Sequence, residues 1–159
     1  MTQALSLPPS IEAIQAAIVA EFNALPVTGL EGWEVKYGHL IALGKQLEPL
    51  PSEYQTEDHL VRGCQSQVWL VTELDTTSDD QPRLVMRADS DALIVKGLVS
   101  LLLRVYNRQP LAAILSSPPT FIEAIGLSQQ LSLQRSNGLA AMMKQIQFYA
   151  LAYQLKMQA

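Results

Sequence analysis

The hairpin that decides the fold runs as Val68-Trp69-Leu70-Val71-Thr72-Glu73-Leu74, a polar connector, and then Arg83-Leu84-Val85-Met86-Arg87. Both apolar runs are rich in the β-branched and aromatic residues that favour strands. The connector, residues 75–82, contains the Asp, Ser and Pro residues that are typical of turns. The sequence therefore predicts two neighbouring antiparallel strands. The apolar pair in His59-Leu60-Val61 is also compatible with a further short strand.

Helical periodicity precedes this hairpin. Apolar residues recur every three or four positions over residues 11–25, directly after Ser10, which has the side chain of a helix N-cap. The same spacing continues over residues 33–47. Thr28 and Glu31, which precede this range, have the separation of a capping box. The sequence therefore predicts two helices before the sheet.

Helical patterns also follow the hairpin. Asp89-Ser90-Asp91 offers a cap and first-turn acids for a helix that extends to Tyr106. Two shorter helices and a long C-terminal helix follow, and their predicted boundaries are Pro110, Pro118-Pro119, Thr120, Gly126 and Ser132. The order of elements predicts an α+β fold in which helices pack on a small antiparallel sheet. Residues 1–159 are expected to form a single domain with a short N-terminal tail.

The composition limits the classes of function. The chain has 159 residues, of which 48% are hydrophobic and 16% are charged, so a hydrophobic core can form without disulfides or structural metal. Its net charge of -4 provides no basic field for nucleic acid. No apolar stretch approaches the roughly 20 residues of a membrane-spanning helix, and the N-terminus lacks the pattern of a secretory signal. We expect a cytoplasmic protein that binds neither nucleic acid nor membrane.

Cys64 is the only cysteine in the chain, and it lies just before the first strand of the hairpin. A single thiol cannot form an internal disulfide, a CxxC redox pair or a thiolate-rich metal cage. Gly63 gives the backbone beside it unusual freedom, and the charge of Arg62 would favour a thiolate. The polar residues that follow, Gln65, Ser66 and Gln67, are unusual in a sealed core. The pattern favours a loop thiol that exchanges with another molecule.

Other interpretations of the same residues remain open. A lone cysteine is often only a small buried hydrophobe. Cys64 as the nucleophile of a hydrolase would need a base, and His59, five residues earlier, is the candidate. Glu57, Asp58 and His59 are adjacent polar residues that do not make a convincing metal site, and the glycines match no nucleotide-binding motif. We therefore expect no metal and no cofactor.

Four segments, in the same order along the chain, resemble the SufE family of sulfur-acceptor proteins. The early helix Tyr37-Gly38-His39-Leu40-Ile41-Ala42-Leu43-Gly44 is similar to that of the family, and Gly63-Cys64-Gln65-Ser66-Gln67-Val68-Trp69 matches the sulfur-accepting loop. Asp89-Ser90-Asp91-Ala92-Leu93-Ile94-Val95-Lys96-Gly97 and Arg135-Ser136-Asn137-Gly138-Leu139 also resemble family segments. The resemblance covers residues 30–148.

This resemblance implies a fold, a function and partners. The fold would be the α+β fold shared with IscU-type iron-sulfur scaffolds. Cys64 would accept persulfide sulfur from a SufS-type cysteine desulfurase, stimulate its turnover and pass the sulfur to a SufBCD-like scaffold for iron-sulfur cluster assembly. Pyridoxal phosphate would belong to the desulfurase. The relatives of CsdE type share this organisation, and Asp91 and Arg135 match positions around the loop or the partner surface.

Overall fold

The structure is a computed structural model that describes residues 7–26, 33–64, 66–77, 81–127, 131 and 133–158. Six helices and three strands lie in these ranges, together with two short 3-10 turns, Ser52–Tyr54 and Glu57–His59. The helices are α1 (Ile11–Asn23), α2 (Trp33–Lys45), α3 (Leu93–Tyr106), α4 (Leu111–Ser116), α5 (Phe121–Ala124) and α6 (Leu133–Gln158). The strands are β1 (Val68–Asp75), β2 (Arg83–Ser90) and β3 (Gln109–Pro110).

The predicted hairpin is confirmed. Strands β1 and β2 pair antiparallel from Val68 opposite Ser90 to Asp75 opposite Arg83. Strand β3 then pairs with β2, so the sheet order is β1-β2-β3. The sequence did not predict β3, because a two-residue strand that contains a proline has too little local pattern to be recognised. The strand considered at His59-Leu60-Val61 is reduced to a single bridge between Leu60 and Trp69.

The α+β fold class is confirmed, and the helices cover one face of the sheet. Side chains two residues apart on a strand share a face, so Leu70 of β1 lies beside Met86 and Ala88 of β2 on the buried face. Helix α3 packs against β2, and eight of its 14 residues are buried. These residues belong to the main hydrophobic core, to which α1, α2, α4, α5 and α6 also contribute.

Helices α2 and α3 cross at very short range. A Cβ atom added to Gly97 of α3 would overlap the carbonyl oxygen of Leu40 in α2. A Cβ atom added to Gly44 of α2 would lie 2.8 Å from the backbone nitrogen of Gly97. Only glycine lets the two backbones approach this closely, so both glycines set the position of α3.

Two of the predicted helix boundaries are confirmed, one by a hydrogen bond and the other by a backbone conformation. The Ala13 N–H donates to the Ser10 side chain at 3.1 Å, so Ser10 caps α1. Gly126 has a φ of +81°, as expected of a residue that terminates a helix. The predicted caps at Thr28 and Ser132 lie outside the described residues.

Two other predicted caps are wrong. The Thr120 hydroxyl donates to the buried side chain of Gln15 instead of capping α5. Asp89 and Ser90 end strand β2, and α3 begins later, at Leu93. The Asp89 carboxylate is buried, where it lies 3.3 Å from the Lys96 ammonium and accepts from the Leu50 N–H at 3.2 Å. A buried carboxylate needs such partners, and they are distant in sequence, so local capping rules could not identify its role.

Candidate functional site

The cysteine loop is held at both ends. At its start, the Val61 N–H donates to the Val68 carbonyl at 2.8 Å. At its end, the Gln67 N–H donates to the Asp91 carboxylate at 3.0 Å, and the Asp91 N–H donates to the Gln67 carbonyl at 3.2 Å. The Ser90 hydroxyl donates to the same carbonyl at 2.8 Å. The cysteine loop is therefore fixed at both of its ends by hydrogen bonds to or next to the β1–β2 hairpin.

Gly63 supplies the conformation that the loop requires. Its φ is +94°, a left-handed value that other residues rarely adopt. A Cβ atom at this position would also lie 3.2 Å from the Cβ atom of Ala141 in α6. The loop therefore turns beside α6, and the residue that follows this turn is Cys64.

The Cys64 side chain is directed toward the start of α6. Its thiol donates to the Gly138 carbonyl, with 3.5 Å between the sulfur and oxygen atoms. Cys64 is half-buried, and this burial raises the pKa of its thiol. The uncharged thiol is therefore the form that this resting position favours, because burial disfavours the charged thiolate. The sequence predicts that Arg62 would favour the thiolate, but the Cys64 pKa is shifted upward, and the cause is burial.

Cys64 opens onto a cavity of about 370 Å³ between α3 and α6. Seven of the 11 residues that line it are apolar, and its polar surface comes from the thiol, Ser66, Arg135 and Gly138. The apolar lining residues are Val68, Val95, Leu98, Val99, Leu102, Leu139 and Met142. The thiol therefore faces a cavity that combines apolar side chains with polar surface, including the cationic side chain of Arg135.

The other candidate residues of the loop have different positions. Ser66 and Arg135 line the cavity, whereas Asp91 acts on the loop backbone through Gln67. Arg62 is exposed and lines a separate groove with Glu57, Asp58, Leu60, Gln145 and Phe148. Gln65 lies outside the described residues.

Gly138 and Met142 are site residues that the motif around Cys64 does not reveal. In sequence, Gly138 only weakens the helical pattern of α6. In the structure, a Cβ atom there would lie 3.5 Å from the Cys64 sulfur, an ordinary van der Waals distance, so this position of the helix lies directly beside the thiol. The sequence signals for this position are a glycine near the start of an otherwise regular helix and the resemblance of residues 135–139 to a family segment.

Neither histidine is placed beside Cys64. The His59 ring nitrogen Nδ1 lies 3.2 Å from the Thr56 hydroxyl, and the ring packs on Tyr54. His39 lies 3.6 Å from the Glu21 carboxylate. The cavity wall, as far as the structure describes it, contains neither a histidine nor a carboxylate. The described residues also contain no cluster of three metal-ligating side chains, and none of their helices has both the length and the apolar character needed to cross a membrane.

Comparisons with known proteins show a family to which this sequence is similar. The family model described as "Fe-S metabolism associated domain", SufE, matches residues 16–150. An uncharacterised SufE-like protein of Rhizobium etli is 44% identical over 119 residues, which are 74% of this chain and 79% of that protein. A similar protein of Rhizobium meliloti is 40% identical over 74% of this chain and 84% of its own length.

A plant protein and a solved structure extend the comparison. The chloroplastic/mitochondrial SufE-like protein 1 of Arabidopsis thaliana is 39% identical over 77% of this chain, although the match spans 32% of the plant protein. A solution structure of a hypothetical protein from Thermus thermophilus has the same fold, with a TM-score of 0.66 at 20% identity over 92% of this chain and 97% of that one. From its sequence and its matched domain, the chain belongs to the SufE family of Fe-S metabolism.

Proposed function

We propose that the protein accepts persulfide sulfur from a cysteine desulfurase onto Cys64, stimulates the turnover of that enzyme and delivers the sulfur for iron-sulfur cluster assembly. The observation that supports this most directly is the position of the thiol. The single cysteine of the chain lies on a loop with two fixed ends and faces a cavity between two helices. A residue with only a packing role would not need a glycine with positive φ and a cavity beside it.

The chemistry of transfer follows from these surroundings. The Cys64 thiolate attacks the outer sulfur of the donor persulfide, as in thiol-disulfide exchange, and keeps that sulfur as a persulfide. Since burial raises the pKa of the thiol, ionisation is favoured when the loop turns Cys64 outward, toward the donor. After transfer, the loop returns the persulfide to the cavity, where the apolar side chains of the lining limit access of reductants from water. The absence of a second cysteine prevents an internal thiol from releasing the sulfur as sulfide.

Membership of the SufE family implies a cysteine desulfurase as the partner. We propose an enzyme of SufS type, whose pyridoxal phosphate belongs to the enzyme and not to this chain, and a SufBCD-like scaffold as the downstream acceptor. Relatives of CsdE type use the same organisation. In this proposal residues 1–159 act as one domain, and the loop residues and Arg135 meet the partner.

A cysteine hydrolase that uses Cys64 and His59 is the alternative, and the geometry supports it less well. The described contacts of His59 are with Thr56 and Tyr54, and His59 is not part of the cavity wall. A hydrolase would also need a group that orients its base. The same desulfurase assay tests both functions.

The test is to incubate the protein with a SufS-type desulfurase and free cysteine and to measure its intact mass. We expect a gain of sulfur at Cys64 that a thiol reductant reverses. Cys64→Ser should fold, because a half-buried loop thiol contributes little packing, but should neither gain sulfur nor stimulate the desulfurase. Stimulation by the Ser variant equal to that of the parent would contradict the proposal.

His59→Ala separates the two functions. A sulfur carrier does not need this side chain, so loading of the folded variant should remain close to that of the parent. Loss of loading in a variant with an unchanged circular dichroism spectrum would support the hydrolase-like dyad instead.

A further inference from the structure

The cavity beside Cys64 is much larger than the single sulfur atom that a persulfide adds. Its volume is about 370 Å³, whereas an atom-sized guest such as water takes up about 30 Å³ of liquid. Pockets of roughly 300–1,000 Å³ hold small organic ligands. The space in front of the thiol is therefore sized for a whole small molecule.

The lining of the cavity indicates which small molecules would fit. Apolar side chains, among them those of Val95, Val99 and Met142, form part of its lining. Arg135 belongs to the wall and is an exposed residue, so it stands on the solvent side of the cavity. A guanidinium binds a carboxylate through two parallel hydrogen bonds. The lining therefore fits a molecule with a short apolar stem and a carboxylate at its outer end.

We propose that this cavity admits a small carboxylate-bearing persulfide, of the chemical class of cysteine persulfide, which loads Cys64 without a donor protein. The inference rests on the proposed role of Cys64 as a sulfur carrier. Arg135 binds the carboxylate at the solvent side, and the short apolar stem extends along the cavity toward the thiol. The protein then has two sources of sulfur, a desulfurase and a low-molecular-weight persulfide.

The transfer balances without an added oxidant or reductant. The Cys64 thiolate attacks the outer sulfur of the small persulfide, and a new S–S bond forms to Cys64 as the S–S bond of the donor breaks. The electron pair of the broken bond leaves with the inner sulfur, which becomes the thiolate of free cysteine. That thiolate takes up a proton equivalent to the one that Cys64 released to solvent.

The experiment compares two persulfides in the absence of any desulfurase. Cysteine persulfide has a carboxylate, and the persulfide of 2-mercaptoethanol does not. Loading of Cys64 is followed by intact mass in the parent, in Arg135→Gln and in Lys144→Gln. Lys144 is an exposed residue of the same helix that lines a different groove, so it serves as the matched loss of one positive charge.

We expect the parent to load from both persulfides and to load faster from cysteine persulfide. Arg135→Gln should slow loading from cysteine persulfide about ten-fold, since a charged pair is lost, and should change loading from 2-mercaptoethanol persulfide less than about two-fold. Lys144→Gln should behave like the parent. As a second measurement, S-methylcysteine should protect Cys64 from alkylation by iodoacetamide in the parent but not in Arg135→Gln.

The outcomes separate this inference from the proposed function. If the desulfurase loads the parent but neither small persulfide does, the cavity inference is overturned and the proposed function stands. If Arg135→Gln slows both small persulfides equally, or no more than Lys144→Gln does, carboxylate recognition is overturned. If neither the desulfurase nor a small persulfide loads the parent, the proposed function fails as well.

Discussion

At the scale of single residues, the chemistry depends on a thiol whose surroundings favour the protonated form. Burial raises the pKa of Cys64, and the nearest described polar partner is the Gly138 carbonyl, which accepts a hydrogen bond from the thiol but cannot stabilise a thiolate. Because only the thiolate is a strong nucleophile, the resting protein should be poorly reactive near neutral pH. The contacts that delay the ionisation of Cys64 also protect this proposed carrier residue.

The pH dependence of alkylation tests this protection. The rate at which iodoacetamide modifies Cys64 should rise with pH, with a midpoint above the ordinary pKa of a cysteine thiol. In urea the unfolded chain should show the ordinary midpoint. The raised pKa also fixes how the free energy of unfolding depends on pH. The Cys64 thiol favours the folded state below the ordinary pKa of a thiol, and this contribution is lost as the pH rises through the raised pKa. A midpoint of the folded protein at or below that of the unfolded chain would contradict the assignment.

At the scale of elements, the cysteine loop combines two fixed ends with one special backbone conformation. The antiparallel bridge around Val61 fixes its start, and the double hydrogen bond between Gln67 and Asp91 fixes its end. Between them, Gly63 turns the chain with a positive φ. Movement of Cys64 between the cavity and a partner therefore requires changes in only a few residues, as in other short hinged loops.

Removing the Asp91 carboxylate should loosen the end of the loop. In Asp91→Ala the Gln67 N–H loses its partner, and we expect the free energy of unfolding to fall by about 1–2 kcal/mol. Alkylation of Cys64 by iodoacetamide should become several-fold faster, because the loop opens more often. Asp58→Ala removes an exposed acid outside the loop and should alkylate at the parental rate. Unchanged alkylation in Asp91→Ala would show that this contact does not restrain the loop.

Replacing Gly63 should impede transfer according to how well the new residue tolerates a positive φ. Asn adopts left-handed values more readily than a β-branched residue does, so Gly63→Asn should cost about 1–2 kcal/mol of stability and Gly63→Val more. Sulfur transfer from the desulfurase should decrease in the order parent, Asn, Val. Chemical denaturation gives the stabilities, and single-turnover mass measurements give the rates. Equal transfer rates in the three folded proteins would remove the hinge from the mechanism.

At the scale of the whole molecule, α3 is the element on which the site depends. Its residues Val95, Leu98 and Val99 line the cavity, and its Gly97 allows the close crossing with α2. Lys96 of the same helix approaches the buried Asp89 of β2, next to the residues that hold Gln67. The position of α3 is thus coupled to both the cavity and the end of the cysteine loop.

Gly97→Ala should therefore destabilise the entire fold. The added methyl group overlaps the backbone of α2, which cannot move aside as a flexible side chain would, so we expect a loss of about 3 kcal/mol. Gly38→Ala is the matched control in α2, since a Cβ atom there meets nothing within 4 Å and alanine is the better helix former. That variant should gain about 0.5–1 kcal/mol. Equal stabilities of the two variants by urea denaturation would contradict the crossing described here.

The sequence by itself determined the local features of this protein. The β-branched runs specified the hairpin, the periodic apolar residues specified the helices, and the single thiol beside Gly63 identified the residue at the centre of the site. These features depend on neighbours in the chain, so their physical causes are visible in short windows. The position of Ser10 as a cap was predictable for the same reason.

Only the tertiary structure decided what surrounds the thiol. Gly138 is 74 residues from Cys64 in sequence, yet its carbonyl accepts the thiol hydrogen bond. The cavity lies between α3 and α6, so it depends on how these two helices pack. Periodicity in the sequence reveals the apolar face of a helix, but it does not reveal which other helix will cover that face. The same limit explains why the local sequence predicts a cap at Asp89, whose partners Leu50 and Lys96 are brought together only by packing.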